Sequence, residues 1–201
     1  MNYFVTAIGT DSGKTFISAI ITKALKADYW KPIQAGFPTD SETIKRLLGE
    51  ATTIHPERYV LNTPASPHMA AAIDKVEIKI SDFELPNKES EHLVIEGAGG
   101  ILVPINEKDY VIDLAQNMGC EVILVCDLYL GSINHSLLTI NELKRRGLSL
   151  KGIIFNGDAN PDSERIIEKV AGVPVLLRVA KEAEVTADTV EKYAVKLSKN
   201  L

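Results

Sequence analysis

The segment AIGTDSGKT, residues 7–15, is the most informative part of this sequence for its fold class. Residues 3–8 are apolar enough for a buried strand, and residues 14–26 place apolar side chains on one face of a helix. Small residues at such a junction let backbone N–H groups turn inward around a phosphate. Gly13-Lys14-Thr15 adds a lysine for the outer phosphates of a nucleotide and a hydroxyl for Mg²⁺, so the stretch predicts a phosphate-binding loop.

One position of this loop departs from the common pattern. A glycine usually stands five residues before the glycine of the Gly-Lys-Thr triplet, and this chain has Ile8 there. The triplet also occurs by chance at ordinary strand-to-helix turns, where its lysine is a surface residue. A strand before the loop and a helix after it favour the phosphate-binding interpretation.

Short apolar runs and longer amphipathic segments alternate through the rest of the chain. We predict a second strand that ends at residues 29–32, and further strands at residues 93–95, 121–125, 151–155 and 174–179. We predict further helices at residues 41–48, 111–118, 133–146, 163–170 and 186–197. This alternation is typical of an α/β fold with a mostly parallel central sheet and helices on both faces. Residues 52–80 contain three prolines and predict no regular element.

Size and composition limit the class of protein. The chain has 201 residues, of which 45% are hydrophobic, and this predicts one P-loop NTPase-like domain over residues 1–201. With 22 basic and 27 acidic residues, the net charge of −5 argues against binding of nucleic acid. We find no apolar run of transmembrane length and no signal peptide, and Cys120 and Cys126 make neither a disulfide framework nor a zinc site. These features predict a cytoplasmic protein that binds no membrane.

An acidic residue follows the strand predicted at residues 93–95. In a parallel sheet, ligands bind at the carboxyl ends of the strands, where a carboxylate opposite a phosphate-binding loop is placed to hold Mg²⁺. Glu96 occupies this place. The alternative is a solvated charge at a strand end. The small residues at positions 97–100 favour the first interpretation, because they let a ligand approach the backbone.

Two charged residues follow the second predicted strand. Lys31 is suited to neutralise charge on a phosphoryl group in transfer, whereas in isolation a lysine at this place is a surface residue. Asp40 precedes the helix predicted at residues 41–48, for which Asp40 or Ser41 is the expected N-cap. The alternative for Asp40 is a second carboxylate ligand of Mg²⁺.

A second anion site is suggested at residues 131–135, GSINH, which open the helix after the fourth strand. Backbone N–H groups at a helix start attract negative groups. The alternative is an ordinary helix start capped by Ser132 or Asn134. His135 is expected to be structural, and the other histidines lack the paired spacing of metal ligands.

Taken together, these motifs resemble the dethiobiotin synthetase family, the ATP-dependent carboxylases of biotin synthesis. The resemblance runs in order through nearly the whole chain, in residues 3–6 with 13–15, 31–34, 66–68, 96–100 with 103–104, 130–135 and 152–156. The strings EGAGG at 96–100 and LGSINH at 130–135 are the specific ones, since a Gly-Lys-Thr triplet is shared with many families.

The resemblance implies a reaction and an assembly. The family has a P-loop α/β fold and forms homodimers with the substrate site at the subunit interface. Its substrates are 7,8-diaminononanoate, CO₂ and ATP. CO₂ adds to one amine as a carbamate, ATP phosphorylates the carbamate, and the second amine closes the ureido ring to give dethiobiotin, ADP and phosphate.

The resemblance also implies roles for individual residues. Lys31 matches the catalytic lysine, Lys14 holds the β- and γ-phosphates, and Thr10 falls on a loop threonine that faces the substrate. The Mg²⁺ ligands are Thr15, Asp40 and Glu96. ATP would be bound by Asp11, Ser12, Gly13, Lys14, Thr15, Phe16, Asp40, Glu96, Gly97, Ala98, Gly99, Asn156, Gly157, Val179, Ala180, Lys181 and Glu184, with the Asn156 amide on the adenine edge. The diamine would be bound by Thr10, Lys31, Ala35, Gly131, Ser132, Ile133 and Asn134, the last four from the neighbouring subunit.

The phosphate-binding loop departs from the family pattern. Ala7 stands where the family loop opens with glycine, and Asp11 takes the usual glutamate position if the loop keeps its length. In the other alignment, residues 9–11 match the family's Gly-Thr-Asp and the loop is two residues shorter. We prefer the first alignment because it keeps Val5 and Thr6 in register, and the roles of Thr10 and Asp11 depend on it.

Two further departures lie at positions that contact ligands in the family. Ala35 replaces a serine or threonine that contacts the substrate, which removes one hydrogen bond worth on the order of 1 kcal/mol. We expect weaker substrate binding or a replacement contact. Ala180 stands where the family usually has proline.

Proteins with other functions share this fold. A cobyrinate-synthase-like amidotransferase also activates a carboxylate with ATP, but it carries a glutaminase domain for which this chain is too short. A ParA/MinD-like switch ATPase has an extra lysine near the start of its loop, and residues 7–9 contain none. A degenerate nucleotide-binding module is disfavoured because Lys14, Thr15, Lys31 and Glu96 are all present.

Overall fold

Nine strands and seven α-helices follow one another along the chain in the computed structural model, which describes residues 1–200. The strands are β1 (Asn2–Ala7), β2 (Asp28–Trp30), β3 (Ile33–Ala35), β4 (Ile54–His55), β5 (Tyr59–Leu61), β6 (Leu93–Gly100), β7 (Glu121–Asp127), β8 (Leu150–Asn156) and β9 (Val175–Val179). The helices are α1 (Lys14–Leu25), α2 (Asp40–Leu48), α3 (Pro67–Asp74), α4 (Val111–Asn117), α5 (Ser132–Arg145), α6 (Pro161–Ala171) and α7 (Ala187–Leu197), and a 3₁₀ turn spans Ile80–Asp82.

Seven strands form the central sheet in the order β4-β2-β6-β1-β7-β8-β9. Every pairing in this sheet is parallel, which confirms the predicted sheet. Strands β3 and β5 pair in a separate, parallel two-stranded sheet. The carboxyl ends of β1, β2 and β6 therefore lie at one edge of the central sheet, with the loops that follow them.

Helices cover both faces of the sheet because alternate strand side chains point in opposite directions. On β1, Phe4 joins a core with residues of α4, α5 and α6, such as Ile112, Ile140 and Ile167. Val5 joins a second core with residues of α1, α2 and α7, such as Ile17, Ile44 and Val190. Among the helices of residues 1–200, none combines the length and apolar character that a membrane crossing requires.

Two predicted helix starts need correction. Helix α2 begins at Asp40, and its N-cap is Thr39 rather than Asp40 or Ser41: the Thr39 side chain accepts from the Glu42 N–H, and the Glu42 side chain accepts from the Thr39 N–H. Helix α5 has Gly131 as its N-cap, in place of Ser132 or Asn134. In both cases the N-cap residue has a backbone outside the right-handed helical region, extended for Thr39 and left-handed for Gly131.

The strand boundaries in the structure differ most from the predicted ones on either side of the predicted site. Strand β6 continues through the glycines to Gly100. The second predicted strand is β2, which ends at Trp30, and the unpredicted strand β3 follows from Ile33 in a different sheet. Residues 52–80 contain β4, β5 and α3. These strands are only two and three residues long, and α3 begins at Pro67, where a proline is tolerated because the first helical N–H has no intrahelical partner.

We predict that Thr39→Ala lowers the free energy of unfolding by about 1 kcal/mol, because the cap of α2 is lost. Urea unfolding measures the change. Thr186→Ala removes the equivalent cap of α7 and should cost a similar amount. An unchanged urea midpoint in Thr39→Ala would show that the capping box does not hold this helix start.

Candidate active site

The phosphate-binding loop is held in shape by a residue at the end of β8, two strands away from β1 in the sheet. Gly13 has a positive φ of 82°, and a Cβ atom on it would lie 2.4 Å from Nδ2 of Asn156. That Nδ2 donates to the Ser12 carbonyl at 3.0 Å. Glycine is therefore required both by the backbone conformation and by the approach of Asn156.

Lys14 is almost fully buried inside the curve of this loop. Its exposed fraction is 8%, and its Nζ donates to the Gly9 carbonyl at 2.9 Å. Burial, together with the neighbouring Lys31 ammonium, lowers the pKa of Lys14 to about 8. Without an anionic ligand, the buried Lys14 ammonium is held at a cost in free energy, and a bound phosphate would stabilise it.

Three oxygen atoms from different elements converge beside Lys14. Oγ1 of Thr15 lies 3.0 Å from Oδ1 of Asp40 and 2.9 Å from Oε1 of Glu96. The hydroxyl has one proton and therefore cannot donate fully to both carboxylates at once. Glu96 lies on β6 with an exposed fraction of 1%, so this carboxylate is not the solvated strand-end charge of the alternative interpretation.

Lys31 supplies the positive charge that these carboxylates need. Its Nζ lies 2.6 Å from Oδ2 of Asp40, 3.2 Å from Oε1 of Glu96 and 3.0 Å from the Gly97 carbonyl oxygen. The side chain is buried, which excludes the surface position that a lone lysine would suggest. Asp40 is thus the first residue of α2 and also a member of this charged cluster.

The charges of the cluster stabilise one another. Burial opposes the ammonium form of Lys31, but the Glu96 and Asp40 carboxylates outweigh burial and raise the pKa of Lys31. Burial also opposes ionisation of Asp40, but the Lys31 ammonium and its hydrogen bond hold the pKa of Asp40 below the usual value. At neutral pH, Lys31 and Asp40 therefore form a charged pair.

The donor set fits a magnesium ion. Thr15, Asp40 and Glu96 contribute hard oxygen atoms, which Mg²⁺ prefers. Within residues 1–200, no group of three or more His, Cys, Asp and Glu side chains is placed to hold a metal alone. A cation here would depend on the hydroxyl, on water and on phosphate oxygens, as Mg²⁺ does in nucleotide sites.

A cavity of about 770 Å³ opens beside the cluster. The sequence-predicted site residues that line it are Thr10, Asp11, Gly13, Lys14, Thr15, Lys31, Ala35, Asp40, Glu96, Ala98 and Gly99. Its wall is completed by residues for which no ligand role was predicted: Gln34 and Ser66, which belong to the family motifs at 31–34 and 66–68, and Phe37. Gln34 positions Asp40, because its Oε1 accepts from the Asp40 N–H at 3.1 Å and its Nε2 donates to the Gly36 carbonyl at 3.0 Å.

Known proteins with closely similar sequences are synthetases. The chain is 56% identical over 200 residues to the ATP-dependent dethiobiotin synthetase BioD of Cytophaga hutchinsonii. The aligned region covers 98% of this chain and 97% of the relative. It belongs to the dethiobiotin synthetase family. The protein of the same name from Christiangramia forsetii is 47% identical over 203 residues, covering 100% of this chain and 97% of the relative. A family model described as an AAA domain matches residues 1–189.

Solved structures of distant sequence share the fold. The cell division ATPase MinD of Pyrococcus furiosus superposes with a TM-score of 0.60 at 14% identity, covering 99% of this chain and 97% of that chain. A ParA family ATPase from Chlorobium tepidum gives a TM-score of 0.55 at 15% identity, covering 99% and 95%. At these identities the likeness shows the P-loop ATPase fold of the synthetase family and no shared activity.

The two cysteines give no support to amidotransferase chemistry in this member of the synthetase family. Cys120 and Cys126 are buried, and burial raises the pKa of both thiols to about 12. A thiol with this pKa is protonated at neutral pH and is a poor nucleophile.

The residues predicted for the nucleoside do not line this cavity: Phe16 is on α1, and the others lie at or after the carboxyl ends of β8 and β9. Asn156 touches the loop through Ser12, and the Gly157 N–H donates to the Val179 carbonyl at 3.0 Å. The ring of Phe16 meets the ring of Tyr193 edge to face, with centroids 6.1 Å apart. The Tyr193 hydroxyl accepts from the Ala180 N–H at 3.1 Å, a bond that the family's usual proline at this position could not make.

Helix α5 starts at a distance from the cavity of its own chain. None of residues 131–134 lines the cavity, although His135 and Leu138 line an adjoining groove of about 470 Å³ that also contains Thr10. Gly131 has no side chain with which to cap the helix start. The first turn of α5 therefore lies outside the cavity of its own chain.

We predict that Lys14→Met is more stable than the unmodified protein below pH 8 when nucleotide and metal are absent. The pKa of Lys14 is about 8 in the folded state against 10.5 for an ordinary lysine, so the proton on Lys14 destabilises the folded state. The variant's free energy of unfolding should exceed that of the unmodified protein by on the order of 1–3 kcal/mol below pH 8. This excess should vanish as the pH rises from about 8 to 10.5.

Urea unfolding of both proteins across this pH range provides the measurement. Lys45→Met, at a largely exposed lysine, is the control and should show no such trend. A Lys14→Met variant that is less stable at every pH would show that the Lys14 ammonium does not destabilise the ligand-free protein.

Proposed function

We propose that the chain carries out the ATP-dependent carboxylation and ring closure of 7,8-diaminononanoate to dethiobiotin. The observation that supports it most directly is the convergence of Lys14, Thr15, Lys31, Asp40 and Glu96 on one cavity, in a chain 56% identical to a dethiobiotin synthetase. The cavity volume of about 770 Å³ falls in the range of small-molecule sites.

Lys14 and the loop amides would bind the β- and γ-phosphates. The Lys14 ammonium now lies against the Gly9 carbonyl, and an incoming phosphate would replace that contact with a charge-assisted one. Thr15, Asp40 and Glu96 would hold Mg²⁺, which neutralises phosphate charge when bound. Phe16, Asn156, Gly157, Val179–Lys181 and Glu184 would surround the nucleoside.

Lys31 would act on the reacting group. An oxygen of the carbamate attacks the γ-phosphorus and ADP leaves; the second amine then attacks the carbamate carbon and phosphate leaves. Asp40 and Glu96 keep Lys31 charged, so its ammonium stabilises the negative carbamate and the phosphoryl group in transfer. Its burial strengthens this effect because water screens the charge less.

Ser66 is a replacement for the contact that Ala35 lacks. Both residues line the cavity, and Ser66 is the N-cap of α3 without a side-chain capping bond. Its hydroxyl is therefore available to a substrate amine. The proposed pocket keeps a polar wall although the serine or threonine of the family is absent at position 35.

A homodimer would complete the substrate site. The start of α5 exposes Tyr129, Leu130, Ile133 and Leu138, an apolar surface that a partner would cover. The groove that contains Thr10 and Leu102 adjoins the cavity and would receive the partner's α5. The first-turn N–H groups of residues 131–134 would then bind the substrate carboxylate.

We expect the enzyme to be located in the cytoplasm, because it would consume ATP and because both of its cysteines are free thiols.

We expect the purified protein to release phosphate from ATP only when diaminononanoate, bicarbonate and Mg²⁺ are all present, and to form dethiobiotin detected by mass. Lys31→Ala should reduce the rate by at least about 100-fold, the usual cost of removing one such electrostatic contact. Lys45→Ala, at a largely exposed lysine, should keep the full rate. Phosphate release that ignores the diamine would contradict the synthetase and favour a switch ATPase.

A second test addresses the shared site. Asn134 is exposed, so Asn134→Glu should fold normally while its new carboxylate repels the carboxylate of the substrate. A mixture of Asn134→Glu and Lys31→Ala should show about a quarter of the full rate. About half of the dimers would contain one subunit of each variant, and each of these would have one intact site, made of Lys31 from one subunit and Asn134 from the other.

The control for that mixture is each inactive variant assayed alone at the same total concentration. Both should stay inactive. A mixture that exchanges subunits but gains no activity would mean that each chain builds its site alone.

A further inference from the structure

A buried tyrosine lies directly behind the metal-binding cluster. Tyr29 is on β2 and is fully buried in the apolar core that packs under α1, beside Ile17 and Val94. Its hydroxyl donates to Oε2 of Glu96 at 2.9 Å. Within residues 1–200, this is the one hydrogen bond that the Tyr29 hydroxyl makes. In such surroundings an unpaired hydroxyl is costly, so the bond is expected to persist.

The two oxygens of Glu96 have separate partners. Oε2 accepts from Tyr29, whereas Oε1 accepts from Thr15 and Lys31. A carboxylate free to rotate could turn either oxygen, or both, towards the cavity. The bond from Tyr29 fixes the plane of the group and leaves one oxygen for the cluster.

We propose that Tyr29 is a positioning residue, which occupies Oε2 of Glu96 so that Oε1 alone faces Thr15 and the Mg²⁺ of a bound nucleotide. The inference rests on the proposed function through the role given to Glu96. It concerns the binding of the metal with the nucleotide and does not depend on which diamine is carboxylated.

A neutral donor is the suitable group at this place. Glu96 already faces charged groups from three other elements: Lys14 on α1, Lys31 after β2 and Asp40 on α2. A further cation behind Glu96 would compete with Mg²⁺ for its negative charge. The tyrosine hydroxyl directs the carboxylate without changing the charge of the cluster, and metal ligands commonly need such supporting bonds to stay in place.

The test is the substitution Tyr29→Phe, which removes the hydroxyl and keeps the ring. Calorimetry would measure binding of ADP and of the non-hydrolysable analogue adenylyl imidodiphosphate, each with Mg²⁺ and with a chelator. We expect affinity for the magnesium complexes to fall on the order of tenfold, a usual cost of losing a supporting bond. Affinity for the metal-free nucleotides should stay the same.

Tyr3→Phe is the matched control. Tyr3 lies in the same core on β1, which β6 separates from β2, and it is also buried. Among residues 1–200, the one hydrogen bond of its hydroxyl goes to the sulfur of Met1, at 3.3 Å. It should lower the melting temperature at most and leave the preference for magnesium complexes unchanged. If Tyr29→Phe weakens metal-free and magnesium-bound nucleotides equally, or behaves like Tyr3→Phe, the proposal is wrong.

A double variant covers the case in which Tyr29→Phe alone fails to fold. Glu96→Gln removes the buried charge, and by itself it should reduce the preference for magnesium complexes. Adding Tyr29→Phe to Glu96→Gln should cause no further loss if the tyrosine acts through Glu96. A further loss would overturn the proposal. Since these titrations contain no diamine, they remain informative even if no dethiobiotin is formed.

Discussion

The structure depends on the placement of one buried ammonium, Lys31, between two carboxylates. Taking these charges out of water is costly and is offset only when each has its partner in place. Glu96 comes from the central sheet, Asp40 from the start of α2 and Thr15 from the start of α1. The cluster therefore forms only when β2, β6 and both helices are correctly packed, and it links the fold directly to the chemistry of the site.

Much of this arrangement follows from the sequence because parallel strands end at the same edge of a sheet. The apolar runs around residues 3–8 and 93–95 predicted two strands of one parallel sheet, and the structure confirms both as β1 and β6, which pair with each other. Lys14, Lys31 and Glu96 each follow such a run. Their meeting in one cavity is thus a consequence of topology, although pattern alone left open whether Lys31 and Asp40 were surface residues.

The rest depends on contacts between distant segments that local pattern does not contain. Strands β4 and β5 are too short to show a period, and they pair only because residues 28–35 lie beside them. Tyr29 sits in an apolar run and appears as an ordinary core residue until Glu96 is seen 2.9 Å from its hydroxyl. Gln34 belongs to a motif of the family, but its bond to the Asp40 N–H depends on how the intervening turn folds back.

The central claim is that Lys31 and its partners serve phosphoryl transfer from ATP to a carbamate. It is tested most directly by running the reaction briefly with ¹⁸O-labelled bicarbonate and measuring the label in the released phosphate. Transfer through a carbamate phosphate gives one ¹⁸O atom in each phosphate, because a carbamate oxygen bonds to phosphorus and leaves with it. Phosphate that takes its new oxygen from water would exclude this mechanism and would identify the chain as an ATPase.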